Sequence, residues 1–267
     1  MLVTAVASAD LQAVRAALEQ VGAREVGIVC PTQDRTIVLA LVDKASTEAA
    51  AVVMRSDGWM TVTRPDGGAA LEAWTRDTAP VCIGDDLTVV PVWSEHDRTA
   101  LRGVVELGPG GFGNGHHRTT RMLVEELVKR LRSGAEVLDV GCGSGVLALC
   151  ALQLGAGGSV AIDLKPEAVA ATVANAALNG MSERLEAGVL RLDQLDRSFD
   201  VVLANIARAG IVELAPQLVA KVASGGWLAV SGIAPGQCDQ IAEFLAPLVE
   251  TARQVDGVWA MLVMQRS

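Results

Sequence analysis

Val137–Gly145, V-L-D-V-G-C-G-S-G, constrains this chain more than any other stretch. Val137, Leu138 and Val140 read as the end of a fully buried strand. Gly141, Gly143 and Gly145 follow as a tight turn in which a ligand can approach bare backbone. The apolar run Ser144–Leu154 then continues as a helix. Strand, glycine turn and helix in that order make the nucleotide-binding corner of a doubly wound α/β sheet.

The chain beyond this corner keeps the alternation of such a sheet. Strands are expected at Ser159–Leu164, around Leu185–Val189, at Phe199–Ala204 and at Trp227–Ile233. Phe199–Ala204 reads as apolar throughout and buried on both faces. A helix opens at Pro166 and ends at Asn179-Gly180, a second spans Gly210–Val222 with a restart at Pro216, and a third covers Gln237–Val249. Thr251–Val255, Asp256-Gly257 and Val258–Met264 form a closing β-hairpin.

Residues 1–64 have a different rhythm. Leu2–Ala7 is strand-like, and Asp10 can cap a helix carrying Leu11, Val14, Ala17, Leu18 and Val21 up to Gly22. Glu25–Cys30 and Thr36–Val42 are β-branched runs joined through Pro31–Arg35, Thr47–Arg55 is a second helix and Trp59–Thr63 a last strand. The order β-α-β-β-α-β is the ferredoxin-like pattern. Residues 65–107 connect the two parts: Pro65–Ala70 has linker composition, Leu71–Asp77 is a short helix holding Trp74, and Leu87–Pro91 and Arg102–Leu107 are short strands. Residues 108–267 form the large domain. It begins with the glycine-dense loop Gly108–Thr120, after which Thr119 or Thr120 caps a helix with Leu123, Val124, Leu127, Val128 and Leu131 on one face. The fold class is therefore α/β, a Rossmann-like domain with a mostly parallel sheet and a terminal antiparallel strand, preceded by a small α+β ferredoxin-like domain.

Bulk properties exclude several functions. With 51% of its 267 residues apolar the chain is not disordered, and no apolar run reaches the ~18–20 residues that span a membrane. Met1–Asp10 lacks the basic segment and cleavage pattern of a secretion signal, so a cytoplasmic location is expected. The five cysteines, Cys30, Cys82, Cys142, Cys150 and Cys238, form no C-x-x-C pair, which argues against a disulfide framework or a metal site. Cys142 within the turn reads as a small packing residue rather than a nucleophile. A net charge of −9 disfavours direct nucleic-acid binding and suits a basic protein partner.

The spacing of the glycines selects the cofactor. A dinucleotide fingerprint is G-x-G-x-x-G, whereas here the turn is G-x-G-x-G with Val146 at the last glycine position and Asp139 two residues ahead. That spacing suits S-adenosylmethionine, which carries no phosphate. Asp163 at the end of the second strand can accept hydrogen bonds from both ribose hydroxyls; otherwise it merely turns the chain before Pro166. Asn205, at the sheet's C-terminal edge, can accept a hydrogen bond from an amine and aim its lone pair at a methyl donor; otherwise it caps the next turn.

These motifs resemble the ribosomal protein L11 methyltransferases, the PrmA family. The resemblance rests on L-E-A-W-T-R-D around Trp74, V-P-V-W at Val90–Trp93, G-F-G-N-G-H-H-R-T-T at Gly111–Thr120, D-V-G-C-G-S-G-V-L-A at Asp139–Ala148, A-N-I at Ala204–Ile206 and S-G-I at Ser231–Ile233. It covers Leu71 to the C-terminus, with residues 1–64 similar in architecture more than in sequence. The family's loop usually reads F-G-T-G; Asn114 stands here in place of the threonine. The resemblance implies Thr120, Gly141, Asp163 and Asn205 as cofactor contacts, joined by Gly143 of the turn, with Asn205 also the catalytic residue and no metal. It further implies that the N-terminal domain recognises the substrate, a basic ribosomal protein methylated on lysine side chains and its N-terminal amine, by a monomeric enzyme. Direct in-line transfer is expected, with the lysine amine, of pKa ~10.4 in water, losing its proton before attack; His116 and His117 are candidates for proton removal or for loop structure. A methyltransferase of the same fold with another acceptor is the alternative, although Ile206-Ala207-Arg208 after Asn205 departs from the N-P-P-Y of glutamine- and adenine-directed enzymes. A nicotinamide-dependent oxidoreductase fits neither the glycine spacing nor the terminal hairpin, and intact cofactor positions oppose a binding module without activity.

Overall fold

The computed structural model describes residues 2–7, 11–20, 24–29, 35–41, 60–63, 79–92, 94, 96–108, 113 and 115–267. The expected helix at Thr47–Arg55, the linker Pro65–Ala70, the Trp74 segment, Trp93, Gly111-Phe112 and Asn114 lie outside them. The chain divides into two units, one of Met1–Pro80, Val90–Leu101 and Glu106–Gly110, the other of Val81–Val89, Arg102–Val105 and Gly111–Ser267.

In the first unit β1 (Leu2–Ala7), β2 (Arg24–Val29), β3 (Arg35–Leu41) and β4 (Met60–Thr63) form one antiparallel sheet in the order β2-β3-β1-β4, the ferredoxin-like arrangement. α1 (Leu11–Gln20) runs against β1 and β2. Its Val14, Ala17 and Leu18, spaced three and one apart, are buried as the helical period requires.

β5 (Val81–Ile83), β6 (Leu87–Pro91) and β7 (Val104–Leu107) make a three-stranded sheet. β5 carries no pattern beyond three residues and is not anticipated from the sequence.

The seven-stranded sheet takes the order β10-β9-β8-β11-β12-β14-β13. Its members are β8 (Glu136–Val140), β9 (Gly158–Ile162), β10 (Leu185–Gly188), β11 (Phe199–Asn205), β12 (Val222–Ile233), β13 (Val249–Asp256) and β14 (Trp259–Gln265). β8 to β12 pair in parallel, and β14 enters antiparallel between β12 and β13. Five helices clothe it: α2 (Arg118–Arg130), α3 (Val146–Gln153), α4 (Pro166–Leu178), α5 (Arg208–Lys221) and α6 (Cys238–Phe244). Side chains alternate across a strand, so Leu138 and Val140 join the core under α5 and α6 while Asp139 points to α3. α3 is apolar on every side, and Val146–Leu152 are all buried between the sheet and its neighbouring helices.

Several boundaries differ from expectation, each for a local reason. α2 begins at Arg118 with His117 as its cap residue, so Thr119 and Thr120 sit in the first turn and neither caps it; their hydroxyls are engaged with His117 and Asn205 instead. Ser144 belongs to the turn, since α3 starts at Val146. α5 runs unbroken through Pro216, because proline deletes a single backbone bond and buried Ala215, Leu218 and Val219 hold the helix on the sheet. α6 stops at Phe244, ahead of Pro247, and Val249 already lies in β13. β11 includes exposed Asp200, whose carboxylate accepts a bond from the Glu136 amide, so that strand is not apolar throughout. The hairpin loop is Gly257-Val258, one residue later than expected, with Asp256 paired to Trp259 and positive φ at Gly257.

Glu126 is the buried charge of α2, bonded to Lys129 Nζ at 2.9 Å and Arg130 Nε at 2.7 Å. Burial alone would raise its carboxyl, but the hydrogen bonds and charges of Lys129 and Arg130 outweigh burial and hold it below the usual range. Its stabilisation is therefore present above the unfolded value of ~4.3 and is lost as pH falls through the lower folded value. Glu126→Gln is expected to cost about 1 kcal/mol at pH 7, because both cations are partly solvated, and little near pH 3. Urea titrations at the two pH values measure this.

Candidate active site

The backbone that leaves β8 is shaped by what flanks it. The amides of Gly141 and Cys142 both donate to Ile162 O, at 2.8 and 3.1 Å, which ties the turn to the end of β9. Gly141, Gly143 and Gly145 have φ of 76°, 58° and 80°, a region that favours glycine. At Gly145 a Cβ would also collide with Thr172 of α4, at 2.8 Å. Thr172 Oγ1 donates to Gly143 O at 3.3 Å and lies 3.2 Å from Cys142 Sγ, while Asn175 Nδ2 donates to Ser144 O at 2.8 Å. The turn is thus held from behind by α4, with Cys142–Gly145 buried and Gly141 partly exposed.

Two carboxylates border it. Asp163 follows β9 and accepts bonds from Gly143 N (3.2 Å) and Lys165 N (3.0 Å) on its two oxygens. An ionised carboxylate offers about four lone-pair sites, so each oxygen retains capacity for a ligand hydroxyl. Leu164, beside it, is 74% exposed, an apolar side chain with no place in the core. Asp139 is buried; its Oδ2 accepts from Ala148 N at 3.3 Å and its Oδ1 has no hydrogen-bond partner. Burial raises its carboxyl to about 7 against the opposing Ala148 bond, with the negative charge of Asp163 adding to the rise. Cys142 is no nucleophile: burial, with the negative charge of Asp139 adding, pushes its thiol up to about 12.

The remaining expected residues meet at the neighbouring strand end. Ala204 is in register with Val140, and Asn205 with Ser231 of β12. Asn205 Nδ2 donates to Thr120 Oγ1 at 3.2 Å, which fixes the amide and leaves its Oδ1 to accept. Ser144 Oγ donates to Gly113 O, and a Cβ on Gly113 would lie 3.3 Å from Val146 Cγ1 and 4.0 Å from Thr120 Oγ1. Gly113 therefore bridges the glycine turn and Thr120. All five expected residues, Thr120, Gly141, Gly143, Asp163 and Asn205, share the C-terminal edge of the sheet.

A family model described as ribosomal protein L11 methyltransferase (PrmA) matches residues 61–267. The chain belongs to the PrmA family. A PrmA relative from Geobacter metallireducens, named ribosomal protein L11 methyltransferase, is 37% identical over 228 residues, 84% of this chain and 71% of its own. Another so named, from Geobacter sp. (strain M21), is 44% identical over 168 residues, 60% of this chain and 55% of its own, so the chain spans little more than half of that relative. The crystal structure of the ribosomal protein L11 methylase from Lactobacillus delbrueckii subsp. bulgaricus superposes with a TM-score of 0.65 at 30% identity, over 70% of this chain and 98% of that one.

In this PrmA-family chain His117 has a structural setting. His117 Nδ1 lies 2.7 Å from Thr119 Oγ1, and its ring meets Trp259 edge-on at 5.3 Å. Arg118 pairs with Asp256, so the start of α2 is fastened to the tip of the closing hairpin. Sequence reasoning missed Gly113, Ser144, Leu164, Thr172, Asn175 and Ile206. Ser144 and Ile206 lie within quoted motifs and were readable as neighbours, but Thr172 and Asn175 carry no signal apart from the packing of α4. Among the described residues no group of three or more His, Cys, Asp or Glu could hold a metal ion, and no helix is long and apolar enough to cross a membrane.

Proposed function

We propose that this protein is an S-adenosylmethionine-dependent methyltransferase that N-methylates a basic ribosomal protein, L11, on lysine side chains or the N-terminal amine. The observation that carries the reading is the meeting, at one sheet edge, of a bare glycine turn, the Asp163 carboxylate and the Thr120–Asn205 pair, in a chain of the PrmA family.

The residues present fit the cofactor. Gly141 keeps partly exposed backbone in the turn, Asp163 has acceptor capacity for two ribose hydroxyls, and Leu164 offers an apolar surface to a base. When bound, S-adenosylmethionine supplies an electrophilic methyl on a sulfonium. Asn205 Oδ1 then accepts a hydrogen bond from the acceptor amine and turns its lone pair to that methyl, while Thr120 holds the Asn205 amide in the required sense. Positioning of this kind supplies most of the rate in a direct displacement. The amine reaches the site neutral, helped by desolvation and by nearby positive charge, both of which lower a lysine pKa. Support for a protein acceptor comes from the relatives' name and from the net charge of −9, which favours a basic partner. The N-terminal sheet would dock that partner, in the cytoplasm.

The test is incubation with isotopically labelled S-adenosylmethionine and total ribosomal protein, followed by mass spectrometry. Label on lysine or N-terminal nitrogen of L11 is expected. Label confined to a different protein would overturn the substrate, and no label on any protein would overturn the protein-methyltransferase reading.

A further inference from the structure

Three glycines from three separate segments turn their missing side chains toward one residue. A Cβ on Gly141, in the turn after β8, would stand 2.5 Å from Ile206 Cγ2. A Cβ on Gly210, in the first turn of α5, would stand 3.2 Å from Ile206 Cδ1. A Cβ on Gly232, in β12, would stand 2.3 Å from Ile206 O. Gly232 has φ of 93° and sits where the β12–β14 register slips between Ser231 and Ile233. That slip brings the β12 backbone against the Ile206 carbonyl.

Ile206 is the residue after Asn205, and its parallel register places it beside the glycine turn, since Ala204 pairs with Val140. Its backbone lies against Gly232 of β12 while its side chain crosses to Gly141. Its β-branch reaches the turn through Cγ2 and its outer methyl reaches α5 through Cδ1. A β-branched side chain is stiff about χ1, so the gap between the Gly141 peptide and the Asn205 strand end is set by a rigid spacer.

We infer that Ile206 is a positioning residue of the cofactor site: it acts through Gly141, fixing the glycine turn at a set distance from the Asn205 amide. This rests on the proposed function, because the ligand it serves is S-adenosylmethionine.

The contact predicts a dependence on shape rather than on volume. Valine keeps a Cγ2 that can touch Gly141, whereas leucine has the bulk of isoleucine without the branch. Calorimetric affinities for S-adenosylmethionine are expected to fall roughly tenfold for Ile206→Ala and Ile206→Leu. Ile206→Val is expected to stay within about threefold of wild type, being the smaller loss of packing. A cavity effect alone would rank the variants by volume, with leucine nearest to wild type. Thermal melts on the same samples separate loss of fold from loss of affinity. A stability cycle of Gly141→Ala with Ile206→Ala tests the contact without cofactor: the alanine at 141 is expected to be less damaging when Ile206 is gone, and strict additivity would overturn the contact. Unchanged affinity in Ile206→Ala, or leucine matching valine, with a wild type that binds, overturns this inference alone. A wild type that shows no binding overturns the functional reading and this inference with it.

Discussion

Asp163→Ala is expected to weaken S-adenosylmethionine binding about 100-fold while the protein stays folded. Each Asp163 oxygen already accepts one backbone amide, from Gly143 or Lys165, and the two acceptor sites that remain suit the two ribose hydroxyls. A hydrogen bond to a charged group contributes about 1.5–3 kcal/mol, so losing two costs ~3 kcal/mol, which is ~100-fold at 1.4 kcal/mol per decade. The freed amide of exposed Lys165 can turn to water while that of buried Gly143 loses its partner, which sets the loss of stability at about 1–3 kcal/mol. Asp163→Asn retains one acceptor oxygen and is expected to fall between alanine and wild type. Calorimetry gives the affinities, and thermal melts give the fold. Wild-type affinity in the alanine variant would remove Asp163 from the site.

Asp139 makes a larger demand on stability. Its carboxyl titrates at about 7 in the folded protein, against ~3.9 in an unfolded chain. Between these values the native state binds a proton that the unfolded state has released. The contribution of Asp139 to stability therefore falls as pH rises from about 4 to about 7 and is level on either side. At ~1.36 kcal/mol per pH unit the swing is about 4 kcal/mol. The groups whose charge bears on Asp139 are Asp163, Cys142 and Cys150, and neither buried thiol ionises in this range. Asp139→Asn keeps an oxygen for the Ala148 amide and has nothing to ionise. Relative to wild type, the asparagine variant is expected to gain several kcal/mol between about pH 4.5 and pH 7.5, read as the difference between two sets of denaturant curves. Parallel curves would mean that Asp139 is ionised throughout.

The parts of this molecule legible in its sequence are those where a residue type answers a local demand. Gly141, Gly143 and Gly145 occupy positive φ, which favours glycine. Pro166 opens α4 where its missing N–H is harmless. Leu2–Ala7 and Leu87–Pro91 are strands with the expected ends. What escaped is contact between distant segments. The thresholds of α2 and α3 shifted because Thr119, Thr120 and Ser144 bond outside their own helices. Thr172 and Asn175 look like ordinary helix residues until α4 lies behind the turn. Ile206 reads as one more apolar residue until three glycines are seen to make room for it. Asp163 was assigned either to a ligand or to the bend before Pro166; its bond to Lys165 N shows that it makes the bend, and its spare acceptor capacity is what the ligand would use.

The fastening of α2 to the hairpin has a bearing on how the protein is made. Arg118 and Asp256 are 138 residues apart, and Trp259 completes the clasp on His117. A ribosome working toward the C-terminus has already delivered Thr120, the glycine turn, Asp163 and Asn205 before either hairpin partner emerges. The nascent chain thus holds every proposed cofactor contact before the residues that clasp the start of α2 exist. β13 and β14 are made after β8–β12, so the clasp on α2 forms only once they pair with the sheet.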